Sequence, residues 1–281
     1  HNTRMEFERL LEIVGEEPLR SGYDRAERLA RMAIYPGVSV PRAYTRLAEL
    51  QMERLGVDRA GYRELADALI DNCQRTARAR GLVVDPARGD KPCTSLFRYA
   101  DCANPYIDYS GAVMFGRPEL AAELDVVPAV RLAAVAVETV ADGPDALEDI
   151  VGYAHLGRAC EQACREADVT FAGEYLAGRA LLEAYTCFPP VPLGFLLASG
   201  IAATARDLLP VLTRHPITVT GGMNLAGAPW NNPALQATIL MHERLDRITD
   251  VRPGGYGDAD EFVDDLEVIA ESLRENGAPT I

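Results

Sequence analysis

At 281 residues, with 48% hydrophobic and 25% charged side chains, the chain has the make-up of an ordinary globular protein long enough to bury a sizeable core. Its net charge of −14 disfavours nonspecific binding to nucleic acid or to an anionic membrane surface, because both are polyanions. Six irregularly spaced cysteines make no dense disulfide framework and read as reduced thiols of a cytoplasmic protein, and no apolar run reaches transmembrane length.

Residues 1–95 read as a helical cap and loop region. Arg4 to Val14 carries Met5, Leu10, Leu11 and Val14 at helical spacing, and Tyr23 to Ile34 does the same with Ala26, Leu29, Ala30 and Ala33 before Tyr35-Pro36-Gly37 ends it. Pro41 to Leu55 is a third helix, with Leu47, Leu50 and Leu55 as its apolar positions and Gly56 as its stop. Asp58 is placed to cap a fourth, from Arg59 towards Arg80, which Gly81 terminates. Val84 to Pro92 is a loop, dense in the turn pairs Asp85-Pro86, Gly89-Asp90 and Lys91-Pro92.

From 96 to 250 strand-like and helical patterns alternate. Asp108 to Gly116 reads as a buried strand and Pro118 to Leu124 as the helix after it. Pro128 to Val140 is a longer β-like run with Val130, Leu132, Val135, Val137 and Val140. His155 to Ala167 is helical, Ala180 to Cys187 a strand, and Pro192 to Ala205 a helix. Ile217 to Val219 is a short β-branched strand broken by Gly221-Gly222. Gly227, Pro229 and Pro233 keep the next segment irregular, and Asn232 before Pro233 marks the start of a helix from Ala234 to about Arg247. Such alternation predicts an α/β domain, a mostly parallel sheet covered by helices. Residues 251–281 form a loop followed by an acidic amphipathic helix, Glu261 to Glu275, with Phe262, Leu266, Ile269 and Leu273 on one face.

The order strand, glycine pair, helix start brings backbone N–H groups to a loop where a thioester, phosphate or oxyanion would sit; a tight turn of an α/β protein has the same signature. The particular run from Pro216 to Pro233, with Thr218-Val-Thr-Gly-Gly222 and Ala228-Pro-Trp-Asn-Asn232, is more specific. Together with Glu183-Ala-Tyr-Thr-Cys-Phe-Pro189 it resembles the C-terminal half of the thiolase superfamily. The similarity is to the sterol-carrier-protein-x-like and lipid-transfer-protein-like thiolases and the related aldolases, over roughly Leu96 to Leu245.

The resemblance implies a thiolase-like layered fold: the C-terminal half of that fold, a mixed, mostly parallel sheet covered by helices, with a helical N-terminal excursion. It implies acyl transfer, or the forming or cleaving of a carbon–carbon bond, on CoA thioesters, with no cofactor beyond the thioester substrate. That chemistry needs a cysteine to hold the acyl group, a base and an oxyanion hole. In the family the nucleophile belongs to the N-terminal half, after which this chain is expected to begin. The family histidine position falls at Ala228, which has no proton to give or take. Tyr185 is the candidate phenolic acid, against a strand-end aromatic closing the core. Cys187 is the best-placed thiol, against a small buried residue. Gly221, Gly222, Ala228, Asn231 and Asn232 are the candidate substrate-binding positions, Asn231 and Asn232 donating to a thioester carbonyl or Asn232 capping a helix.

Other groups read as structural. His155, Cys160 and Cys164 share a helix without the ligand spacing of a zinc site, so no metal is expected. Arg42, Arg46, Arg54 and Arg63, interleaved with glutamates, read as a solvated face rather than a CoA-phosphate site. The implied partners are an acyl-CoA or lipid-like thioester and, in an obligate oligomer, a second thiolase-type subunit or a small zinc-ribbon/OB-fold protein of the DUF35 type. Two further readings stay open: a non-catalytic partner subunit, and an acyl-CoA or lipid binding module.

Overall fold

The computed structural model describes residues 40–82, 89, 91–103, 132–141 and 146–227. The chain divides into two compact units, His1–Ala43 and Tyr44–Ile281. Only the first turn of one helix is described in the first unit; all other described residues belong to the second.

Two long helices open the described chain, α1 (Val40–Leu55) and α2 (Arg59–Ala79). The α2 start is set by Asp58, whose carboxylate accepts the Gly61 amide at 2.8 Å. Its end is a Schellman turn: Gly81, at φ +75°, sends its N–H to Arg78 O, and Leu82 reaches Ala77 O. The shorter helices are α3 (Ala146–Gly152), α4 (Ala154–Ala167), α5 (Phe171–Leu176), α6 (Pro190–Ala198), α7 (Ala205–Arg214) and α8 (Gly222–Leu225). A 3-10 turn spans Tyr99–Asp101. Helix α6 is apolar all round and is buried against α4 and α7. Helix α2 packs on α7 and α8. Tyr62, Leu69, Phe97, Phe188, Leu193, Leu196, Leu208, Leu212 and Ile217 form the core between them.

The expected α/β, thiolase-like layered architecture is corrected here. Among the described residues there is no strand, only an isolated antiparallel bridge between Pro92 and Arg98, and the regular structure is helical. Three segments show why a β-like pattern does not become a sheet. The described part of the Pro128–Val140 run has no ladder partner and leaves Leu132, Val135 and Val137 more than 60% exposed. Residues Ala180 to Cys187 are irregular, and so are Ile217 to Val219, although those three are buried. A strand needs a neighbouring strand to take its backbone groups; around Ile217 to Val219 polar side chains take them instead. The helix expected over Pro192 to Ala205 is also corrected. It ends at Ala198, Gly200 turns the chain at φ +75°, and α7 begins at Ala205, where the Asp207 carboxylate takes the Thr204 N–H at 2.8 Å.

The buried face of α1 differs from the expected one as well. Thr45, Ala48 and Gln51 are buried, whereas Leu47, Leu50 and Leu55 are only half-buried. Hydrogen bonds hold Gln51 there: it donates to Pro190 O at 3.0 Å and accepts the Tyr62 hydroxyl at 2.9 Å. The helices expected at Arg4–Val14, Tyr23–Ile34, Pro118–Leu124, Ala234–Arg247 and Glu261–Glu275, and the strand at Asp108–Gly116, lie outside the described residues. No helix among the described residues is long and apolar enough to cross a membrane.

Candidate functional site

The two motif segments singled out in the sequence lie side by side. Ala184 donates its N–H to Ile217 O at 2.9 Å. The Glu183 carboxylate accepts the Val219 N–H at 2.6 Å, the Thr220 N–H at 3.0 Å and the Thr220 hydroxyl at 2.6 Å. One residue beyond Tyr185, the Thr186 hydroxyl accepts the Met223 N–H at 2.8 Å. Glu183, Ala184 and Thr186 thereby tie the first segment to the second from Ile217 to Met223.

Helix α2 holds the second segment from the other side. The Asn72 amide is fully buried; it donates to Leu212 O at 2.6 Å and His215 O at 2.7 Å and accepts the Ile217 N–H at 3.1 Å. The Thr76 hydroxyl donates to Thr218 O, Arg80 donates to Thr220 O at 2.6 Å, and from α5 the Tyr175 hydroxyl donates to Pro216 O at 3.2 Å. Apart from Ile217 O, which takes the Ala184 N–H, the described backbone partners of this segment are polar side chains, so the segment stays extended and buried without a ladder.

Gly221 and Gly222 sit at φ +94° and +79°, a conformation that side-chain-bearing residues avoid. A Cβ on Gly221 would lie 2.9 Å from Ala77 Cβ, and one on Gly222 would lie 2.8 Å from Thr186 Oγ1 and 2.9 Å from Cys73 Sγ. Both glycines therefore let the turn press against α2 and the first motif. The Gly222 N–H is taken by the Thr220 hydroxyl and the Met223 N–H by Thr186, so these two amides are engaged within the chain rather than held open for an oxyanion.

Tyr185 is 53% exposed. Its environment raises its pKa, through partial burial and then through Cys187, so the phenol keeps its proton at neutral pH and is a hydrogen-bond donor. Cys187 is buried, its thiol 3.5 Å from the Tyr44 hydroxyl. Burial raises its pKa, outweighing the hydrogen bonds from Tyr44 and the backbone that favour the thiolate. A protonated, enclosed thiol is a poor nucleophile. The Tyr44 ring stacks on Phe188 at 4.2 Å between centroids and closes this side of the core. Ala228, Asn231 and Asn232, with Trp230 and His242, lie outside the described residues.

The remaining candidates are in structural roles. Cys73 is fully buried and its thiol is pushed up to about 12, chiefly by desolvation. His215 is buried beside Tyr175, and burial followed by the nearby Arg214 lowers its pKa. Arg46 pairs with Glu49, Arg54 with Glu148, and Arg63 with Asp101, so three of the four arginines weighed as phosphate ligands already have carboxylate partners. No group of three or more His, Cys, Asp or Glu residues that could hold a metal ion occurs among the described residues.

Sequence reasoning passed over Glu183, Thr186, Asn72 and Asn224. Polar residues inside otherwise apolar stretches were the available signal, as in Leu69-Ile-Asp-Asn-Cys73. Asn224 is buried with neither its amide nitrogen nor its amide oxygen hydrogen-bonded, two steps beyond Gly222. No protein-family model matches the chain, and a search of curated proteins finds no match.

Proposed function

We propose that this chain acts on CoA thioesters as one component of a thiolase-like acyltransferase or carbon–carbon bond-cleaving assembly, in which Tyr185 supplies a proton and another polypeptide supplies the acyl-holding cysteine. The observation that carries the reading is the docking of Glu183–Pro189 against Pro216–Leu225, with the Tyr185 phenol between two docked residues, half exposed to solvent and keeping its proton. A phenol so held can donate to a developing enolate or alkoxide oxygen. Asn224 supports the same reading, since its unmet amide donor and acceptor suit a thioester carbonyl or a pantetheine amide.

Assembly with a nucleophile-bearing subunit, or with a small zinc-ribbon/OB-fold protein, belongs to this proposal. The burial of Cys187 against Tyr44 favours a second reading, a subunit that binds acyl-CoA without a covalent step.

The test is made on the protein as purified from its own host with whatever co-purifies, using acetyl-CoA and acetoacetyl-CoA as probes. Tyr185→Phe should lower turnover by about 100-fold, in the range typical for a lost general acid, with binding of the thioester by calorimetry unchanged. An unchanged rate would sink a catalytic Tyr185 and leave the binding reading. No heat of binding with either probe would remove both.

A further inference from the structure

Outside the motif segments, residues Leu132 to Val140 read Leu-Ala-Ala-Val-Ala-Val-Glu-Thr-Val. Their exposure alternates: Ala133, Val135, Val137 and Thr139 are exposed, while Ala134, Ala136 and Glu138 are half-buried. A period of two is that of a strand lying with one face on the body of a protein. Among the described residues, however, the backbone from Leu132 to Val140 makes one hydrogen bond, Thr139 O accepting from Arg158 at 3.3 Å. The C-terminal end of the run is fixed to the helices beside it. The Ala141 N–H goes to the Asp149 carboxylate at 2.6 Å, and Glu138 pairs with Arg158 at 3.5 Å. Helix α3, tied to the run through Asp149, exposes Leu147 and Ile150 one turn apart. An apolar run so anchored, with Val137 81% exposed, carries none of the residues that keep a strand edge solitary: it has no proline, lysine or glycine.

We infer that residues 132–140 are a dimerisation strand, pairing antiparallel with the same run of a second copy of this chain. What the run leaves unpaired is backbone, and a row of N–H and C=O groups is met by another strand. Charge selects the second copy as that strand's source. Leu132 to Val137 carry no charge, and Glu138, the one charged residue of the run, is held by Arg158; on α3, Glu148 is paired with Arg54. The face is therefore locally neutral in a chain of net charge −14. Charges elsewhere on the two copies are screened beyond about 8 Å at physiological salt. With the pair centred anywhere from Val135 to Val137, Glu138 of one copy lies opposite Leu132, Ala134 or Ala136 of the other, so no like charges meet. A centre on any of these residues also sets exposed positions opposite exposed positions, so Val135 and Val137 continue into the apolar row of the second copy. Such a contact uses the same surface on both copies and closes as a pair. The inference is independent of any activity on thioesters.

The test is sedimentation equilibrium on the full chain. The wild-type protein should behave as a reversible dimer at micromolar concentration. Val137→Pro removes one N–H from the pairing and should weaken the dimer by about 10-fold or more. No hydrogen bond among the described residues uses the Val137 amide, so the far-ultraviolet circular dichroism of the variant should match that of the wild type. A second measurement needs no proline. With Val135 replaced by p-benzoylphenylalanine, irradiation of mixed isotopically light and heavy chains should join one copy to the other within the tryptic peptide that begins at Leu132. A chain that stays monomeric throughout would overturn the inference. So would crosslinks that land elsewhere, crosslinks to a different polypeptide that co-purifies, or a dimer that Val137→Pro leaves as tight as before. The light–heavy crosslink decides the matter even if the proline variant does not fold.

Discussion

Two carboxylates, Glu183 and Asp101, have folded pKa values displaced in opposite directions. Glu183 is partly buried; desolvation raises its pKa, and the hydrogen bonds from Thr220 and Val219 offset only part of that. A carboxyl whose folded pKa lies above its unfolded value binds more protons in the folded state over the interval between the two. Folding stability contributed by Glu183 therefore falls as pH rises through that interval, upward from the ordinary carboxylate range. Glu183→Gln keeps an oxygen for the Val219 and Thr220 amides and has no titration. Urea unfolding of both proteins across this interval should show wild-type stability declining relative to the variant as pH rises. Parallel curves would mean that Glu183 is solvated well enough to titrate normally. Asn72 illustrates the complementary case of a neutral amide: its three hydrogen bonds leave no unmet donor or acceptor at the crossing of α2 and α7.

At the scale of the element, local sequence chemistry and long-range packing part company. Helix α2 begins at the residue after Asp58 and gives way to Gly81 through a one-residue C-cap, as the capping residues imply. The extended segment Pro216 to Thr220 owes its form to α2 instead, through Asn72, Thr76 and Arg80. Gly221 is where the two meet. A side chain there would suffer both a positive φ and a Cβ within 3.0 Å of the Ala77 Cα. Gly221→Ala should destabilise by about 2–4 kcal/mol, the sum of left-handed strain and local overpacking, read as a lower urea midpoint at unchanged slope. A loss under about 0.5 kcal/mol, the size of an ordinary surface change, would show that the turn relaxes away from α2.

Across the whole molecule, the charge pattern is better read from pairs than from the net of −14. Asp101, Arg63, Arg98 and Asp67 form one network that fastens loop 91–103 to α2. Burial alone would raise the Asp101 pKa; hydrogen bonds from Arg63 and the Arg98 backbone, with the Arg63 charge, outweigh it and hold the carboxyl below its usual range. A lowered folded pKa gives stability that is present above the unfolded value and is lost as pH falls through the folded one. Asp101→Asn removes the buried carboxylate partner of Arg63, which keeps Asp67 and Leu96 O, and should cost about 1.5–3 kcal/mol near neutral pH. The deficit, followed by thermal melting, should shrink as the wild-type protein is acidified. A deficit independent of pH would assign the effect to packing instead of charge.

What the amino-acid sequence determined by itself was local: the Asp58 cap, the Gly81 stop, the Gly56 break, and the helix read from His155 to Ala167 and found from Ala154 to Ala167. Each depends on a few neighbouring residues and their allowed dihedrals, so each is legible without a partner. The two motif segments were picked out by their residues, but their contact is a tertiary fact that the sequence reading did not predict. Whether β-branched runs become strands was decided by what lies beside them. Among the described residues Leu132 to Ala141 has no ladder partner, and Ile217 to Val219 has Asn72, Glu183 and Thr76 in place of a neighbouring strand. Tertiary packing likewise decided that Cys187 is enclosed by Tyr44 while Tyr185, two residues earlier, faces water. Backbone groups must be satisfied by something, and which groups satisfy them is a property of the folded chain that no local pattern encodes.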